Sequence, residues 1–456
     1  MCIRRKPLLP LVMLGCVFVL AITFTDFAIA GGKGKEEKVQ LNIAVLVGVY
    51  GARAKELEAP FEEQYPNIDL MIEELPYDDV IKKELLDCSQ NTGRYDVITM
   101  TLPELAIFAH AGHITPLDDF LEDKTLTSPD LDLEDYYGAY FKGAQYRGKT
   151  YGMPYQFWLM AYFYRKDLFK DPKYKSEFKR QYGYELKVPD DYEQFYDIAE
   201  FFTMDRDGDG AVDLYGFGMD GLKGGGGCNV FQWVHFLWNA GGDIFDNNYK
   251  PIVNNLAGVE ATKYYASLVK FSPPDWVTNM CDENTSLFQQ DMLAQSIHDS
   301  DQFGYINDVE SSQPQVVNNV ALATPPLGLG GKPIIHLVGW VQAINDDSKH
   351  KEEAFQYIQW MAAKGRAPVQ ANYGEPQCRV SWLNDPENQK KYPEYKGMVG
   401  ALPYARTFPS IPEIGEVLDI LALEIQNTCL GEKTAQAAMN DASRKIESVL
   451  KEAGYY

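Results

Sequence analysis

Val39-Gln40-Leu41-Asn42-Ile43-Ala44-Val45-Leu46-Val47 alternates polar and apolar residues and then runs apolar, the pattern of a strand buried on at least one face. Residues 48–51 read as a turn. Leu57, Phe61 and Tyr65 follow at helical spacing, closed by Pro66-Asn67, and Pro60 within that stretch predicts a kink or a late helix start. Ile68-Asp69-Leu70-Met71-Ile72 and Tyr95-Asp96-Val97-Ile98-Thr99-Met100 read as the next two strands, with a helix over 80–88 between them. Alternation of this kind implies an α/β fold whose mostly parallel, doubly wound sheet takes ligands outside the carboxyl ends of its strands.

The chain around this stretch has 456 residues, enough for two or three compact units with ample core. Lys and Arg total 42 against 65 Asp and Glu, a formal net charge of −23, which repels phosphate backbones and anionic lipid and argues against nucleic-acid binding. Residues 1–30 have the layout of a secretory signal peptide: Arg4, Arg5 and Lys6, an apolar run, then Ala28-Ile29-Ala30 before Gly31. Residues 31–38 read as a flexible leader. A lipoprotein tether through Cys16 ranks second, because the apolar run continues past it where a lipoprotein linker turns polar. No later run is long and apolar enough to span a bilayer, so a secreted, periplasmic protein is expected. Cys88, Cys228, Cys281, Cys378 and Cys429 remain, an odd number without a Cys-x-x-Cys pair. One or two disulfides are permitted, while a zinc site or a thioredoxin-type motif, and with it a redox cofactor, is unsupported.

Further along, Asp190 followed by Glu193 reads as a capping pair ahead of the helical face Phe195, Ile198, Ala199 and Phe202. Two C-terminal helices are striped by Ile414, Val417, Leu418, Leu421 and Ile425, and by Ala435, Ala438, Met439, Ala442, Ile446 and Val449, with Gly431 between them. The main breaks are the Gly run 224–227 and the Pro-rich stretch 324–328, neither of them a long linker.

Phe61-Glu62-Glu63-Gln64-Tyr65-Pro66-Asn67-Ile68, Tyr95-Asp96-Val97-Ile98 and Ala111-Gly112-His113-Ile114-Thr115-Pro116-Leu117-Asp118 stand in a telling order. Tyr151-Gly152-Met153-Pro154-Tyr155, then Tyr162-Phe163-Tyr164-Arg165-Lys166-Asp167-Leu168-Phe169, add to it, as do Gly339-Trp340-Val341-Gln342-Ala343-Ile344 and Tyr373-Gly374-Glu375-Pro376. Taken together these segments resemble extracellular solute-binding proteins of ABC importers, family 1, the sugar-type branch that includes maltose-binding protein. The resemblance implies a two-lobed periplasmic-binding-protein fold of type II, each lobe a doubly wound sheet. Lobe I would comprise 39–153 and 325–375, and lobe II 154–324 and 376–456, with hinge crossings near 151–155, 321–326 and 373–379. It further implies a protein that encloses a small organic solute, a carbohydrate above all, and hands it to ABC permease subunits; the sequence leaves the oligomeric state open, with a monomer as the default.

A sugar offers apolar C–H faces and a rim of hydroxyls, so its receptor needs aromatic plates and directional polar groups. Tyr155, Gln156, Phe157 and Trp158 supply both kinds after the first crossing, the aromatics reading equally as core. Asn229, Gln232 and Trp233 follow the Gly run, where a helix start offers free N–H groups. Asp299, Ser300 and Asp301 lie in a polar turn, and Gly339-Trp340 stands where the family presents a solute-facing tryptophan. Tyr50, at the end of the first strand, and Arg379, at the third crossing and equally an ion-pair partner, complete the candidates. Asp205, Asp207, Asp209 and Asp213 occupy positions one, three, five and nine of a calcium-type loop, with the Ala211 carbonyl at seven; Gly216 replaces the usual Glu at twelve. A structural calcium ion is the expectation there, with a metal-free acidic turn as the alternative. Walker, His-Glu-x-x-His and Gly-x-Ser-x-Gly motifs are absent from the sequence. Binding without catalysis is therefore expected; the rivals are a secreted carbohydrate-active enzyme and a solute-presenting partner of a membrane sensor.

Overall fold

The computed structural model describes residues 38–456 apart from 225–227, 329–333 and 375. The signal peptide, Cys16 and the leader up to Glu37 lie outside the described residues, as does most of the Gly run.

The opening stretch folds as β1 (Val39–Leu46), α1 (Val49–Gln64), β2 (Ile68–Leu75), α2 (Tyr77–Gln90), β3 (Val97–Thr101) and α3 (Leu102–Ala111). β1 pairs in parallel with β2 along its whole length, from Val39 opposite Ile68 to Leu46 opposite Leu75, and with β3 at Ile43 and Val97. α1 begins at Val49, so the expected turn is shorter than read, and Pro60 sits inside the helix. β4 (Ile114–Thr115), the hairpin of β5 (Gln145–Tyr146) and β6 (Lys149–Thr150), β7 (Met153–Arg165), β8 (Gln295–Asp299), β9 (Val320–Ala323), β10 (Ile335–Asn345) and β11 (Ala405–Arg406) complete the strands.

The main sheet runs β2-β1-β3-β10-β7-β8. It is mixed, where the sequence pattern alone implied a mostly parallel one: β10 lies antiparallel to both β3 and β7, because it re-enters the sheet from the opposite end. β7 is the element that ties the molecule together. Its first half, to Leu159, pairs with β10, and its second half, from Met160, pairs with β8 and β9.

Two large cores follow the same division. The first gathers the early strands and helices with Phe157, Leu159, Val341 and Ile344; the second gathers Met160, Trp233, Trp238 and Ile297 with the two C-terminal helices. Cys378, Leu383, Tyr395, Met398 and Leu402 pack into the first core and Phe408 into the second, whereas the sequence division at 375/376 assigns all of them to lobe II. The five described cysteines are all free thiols. Among the described residues, no helix is long and apolar enough to cross a membrane.

Candidate functional site

The carboxyl ends of the parallel strands open onto one cleft of about 630 Å³. Leu46, Val47, Gly48 and Tyr50 follow from β1, Pro76 from β2, and Thr101 ends β3. Trp158 and Met160 of β7 and Trp340 of β10 form the floor where the chain passes between the two cores. The opposite wall comes from Asp220, Phe231, Met280, Cys281, Asp282 and Thr285, from Asp299 at the end of β8, and from Asp301, Gln302 and Tyr305 beyond it.

Several expected site residues meet here. Tyr50, Trp158, Asp299, Asp301 and Trp340 line the cleft. Gln156 is one layer deeper, its side-chain amide donating to the Tyr50 hydroxyl at 3.4 Å. Gly339 supports the floor without presenting a side chain: a Cβ there would stand 2.6 Å from the Tyr140 ring and 2.7 Å from the Gln156 carbonyl. Ser300 accepts the Leu159 backbone N–H at 3.0 Å, fastening the Asp299–Asp301 turn to β7.

The others lie elsewhere. Trp233 is fully buried in the second core, its indole N–H donating to Thr262 Oγ1 at 3.0 Å. Asn229 is buried and donates to the Ala422 carbonyl at 2.9 Å. Both face inward because their helix, Cys228–Asn239, is buried along most of its length. Tyr155 is buried under the Arg53 guanidinium, 4.3 Å from its ring centre. Arg379 is a structural cross-link, donating to the carbonyls of Leu131, Asp132 and Ala362 and to Gln377. In the acidic loop, carboxylate oxygens of Asp205, Asp207 and Asp209 lie within 4.8 Å of one another. The Asp213 carboxylate accepts the Arg206 side chain at 3.0 Å, and the Ala211 amide donates to Asp209 at 2.8 Å.

Asp220, Cys281, Asp282 and Tyr305 also line the cleft and are absent from the residues expected from the sequence. Asp282 follows Cys281 in the first turn of a short helix, Cys281–Gln289, and Asp220 sits in irregular chain; neither place carries a sequence pattern. Tyr305 lies on the same polar segment as Asp301, and reading that segment four residues further would have found it.

The cleft is acidic, and its carboxyl groups are largely buried. Burial pushes Asp301 up to about 7, aided by the charge of Asp282. Burial likewise pushes Asp220 up to about 7, against the hydrogen bond from Asn284 at 2.7 Å. Asp299 is driven well above the usual carboxylate range by burial and by the field of Asp301 and Asp220, with the nearby Trp158 indole as the opposing influence. Burial and Asp301 together raise the Tyr50 hydroxyl, keeping it a neutral donor.

The profile of bacterial extracellular solute-binding proteins matches residues 47–367. A mannitol-binding protein of Pseudomonas aeruginosa is 24% identical over 356 residues, which cover 78% of this chain and 74% of that protein. The ABC transporter solute-binding protein of Agrobacterium radiobacter K84, solved in complex with ribitol, is 26% identical. It superposes with a TM-score of 0.77 over 91% of this chain and 99% of that one. The maltose-bound protein of T. maritima shares the fold at a TM-score of 0.77 and 20% identity, over 90% of this chain and 100% of its own.

Proposed function

Because the chain belongs to the bacterial extracellular solute-binding proteins, we propose that it is the solute-capturing component of an ABC importer, taking a small carbohydrate or sugar alcohol into its cleft. The observation that carries this reading is the cleft lining: Trp158 and Trp340 offer flat apolar faces beside the carboxylates of Asp299 and Asp301. Sugar C–H faces stack on such rings while hydroxyls donate to such carboxylates. The mannitol- and ribitol-binding relatives support the same solute class. Contacts to both cores are complete only when the cleft is shut, so solute shifts the population toward a closed form that a permease receives. The protein works outside the cytoplasm as a monomer, and the solute leaves it unaltered.

A thermal-shift screen of mannitol, ribitol, monosaccharides and oligosaccharides tests this. One solute class should raise the melting temperature, by about 2.7 kcal/mol of added stability at a hundredfold excess over Kd, and be recovered intact. Chemically altered solute would support the secreted-enzyme rival, and no shift with any of them would contradict the reading.

We also propose that the loop bearing Asp205, Asp207 and Asp209 holds a structural calcium ion, since three exposed carboxylates so close together repel one another without a cation. Calcium should then raise the melting temperature and a chelator should lower it; identical melting curves would contradict it.

A further inference from the structure

Four aspartates face the same cleft: Asp220, Asp282, Asp299 and Asp301. Asp301 is 7% exposed, and its Oδ1 is buried with no hydrogen-bond partner among the described residues. Asp299 Oδ1 is buried in the same condition beside it. Among the described residues, no lysine, arginine or histidine lines the cleft. The Arg53 guanidinium, whose field reaches Tyr305, stacks on the Tyr155 ring and is not part of the lining.

Burial makes ionisation of these carboxyls costly, so they hold their protons while the cleft is empty; an occupant that brings a positive charge supplies the missing counter-charge and lets them ionise against it. A neutral hydroxyl brings one donor together with lone pairs that need donors of their own, whereas an ammonium group brings three donors and no acceptor. The acceptor-rich end of this cleft fits the second pattern. A metal ion fits poorly, because the cleft aspartates do not bring three carboxylate oxygens within 4.8 Å of one another, as Asp205, Asp207 and Asp209 do. The rings of Trp158, Trp340 and Tyr50 in the same lining suit a cation as well as C–H faces.

Building on the solute-capture reading, we infer that the preferred solute carries a protonated amino group among its hydroxyls, an amino sugar or amino polyol, with the ammonium seated at Asp299 and Asp301. Titration calorimetry of the intact chain with matched probes tests this: glucosamine against glucose and N-acetylglucosamine, and 1-amino-1-deoxysorbitol against sorbitol, with mannitol and ribitol as neutral references. In at least one pair the amine should bind about tenfold tighter than its neutral partner. Asp301→Asn, or Asp299→Asn if the first variant folds poorly, should bring that ratio close to one.

Neutral probes binding as tightly as the amines would overturn the inference and leave solute capture standing, as would binding of mannitol or ribitol alone. A ratio unchanged in both variants would also overturn it. Binding by none of the probes would overturn the inference, while solute capture itself stands or falls by the wider thermal-shift screen.

Discussion

Asp301 and Asp220 retain their protons to about pH 7 in the folded chain because burial strips water from the ionised carboxylate. An unfolded aspartate titrates near ~3.9. Between those values the folded state binds more protons than the unfolded one, so the stability tied to the neutral carboxyl is lost as pH rises from about 4 to about 7. The melting temperature of the solute-free protein should therefore fall more between pH 5 and pH 7.5 than that of Asp301→Asn; parallel curves would contradict the assignment. At this scale the sequence was legible where a side chain sits on a regular strand or just beyond its end. Trp158, Trp340 and Asp299 sit on strands and Asp301 two residues beyond one, while Tyr50 lies in the first turn of α1, four residues past the end of β1. Trp233, Asn229 and Arg379 misled because an aromatic or polar residue near a helix start has the same sequence signature whether it meets a ligand or the protein's own backbone. Only tertiary packing separates the two, as the bonds to Thr262, Ala422 and Leu131 show.

The floor of the cleft depends on how β7 and β10 are joined. Their register slips between Trp340 and Val341, where Trp340 faces Gln156 but Val341 faces Pro154, leaving Tyr155 as the extra residue of a bulge. The Tyr140 hydroxyl lies 2.5 Å from the Gln156 carbonyl and 2.6 Å from that of Trp340, donating to one at a time. Tyr140→Phe should cost about 1–3 kcal/mol, the penalty for leaving a buried acceptor unsatisfied, and should weaken solute binding by loosening Trp340. A melting curve and a solute titration check the two effects. The far end of β7 is held by charge: Arg165, 1% exposed, pairs with Asp167 and Asp291, and Asp291 also pairs with Arg206 of the acidic loop. Arg165→Ala takes the buried cation from Asp167 and leaves Asp291 with Arg206 as its remaining ion-pair partner, and should destabilise by roughly 3–5 kcal/mol, whereas Lys187→Ala, which breaks an exposed pair with Asp190, should move the melting temperature little. Unequal losses of this order are expected from denaturant titration; equal ones would contradict the account.

Across the whole molecule, strand and helix order were readable from the period of apolar residues, and the first three strands appear in parallel as read. The direction of β10 was not readable, because nothing local tells a strand which end of a sheet it enters. Lobe membership after residue 375 was likewise hidden, since Cys378 and Leu402 join the first core through long-range packing alone. β7 crosses from one core to the other between Leu159 and Met160, immediately beside Trp158. Solute bridging that crossing should draw the two cores together, so small-angle scattering should give a smaller radius of gyration with saturating solute than without; an unchanged radius would speak against closure. The central claim is that the cleft floored by Trp158 and Trp340 binds the solute. Calorimetric titration of the screen's strongest solute into the wild-type chain and into Trp340→Ala tests it most directly. One solute per chain is expected, with affinity reduced at least about tenfold in the variant, in line with the loss of a buried aromatic anchor. Equal affinity in the two proteins, with the variant folded, would contradict it.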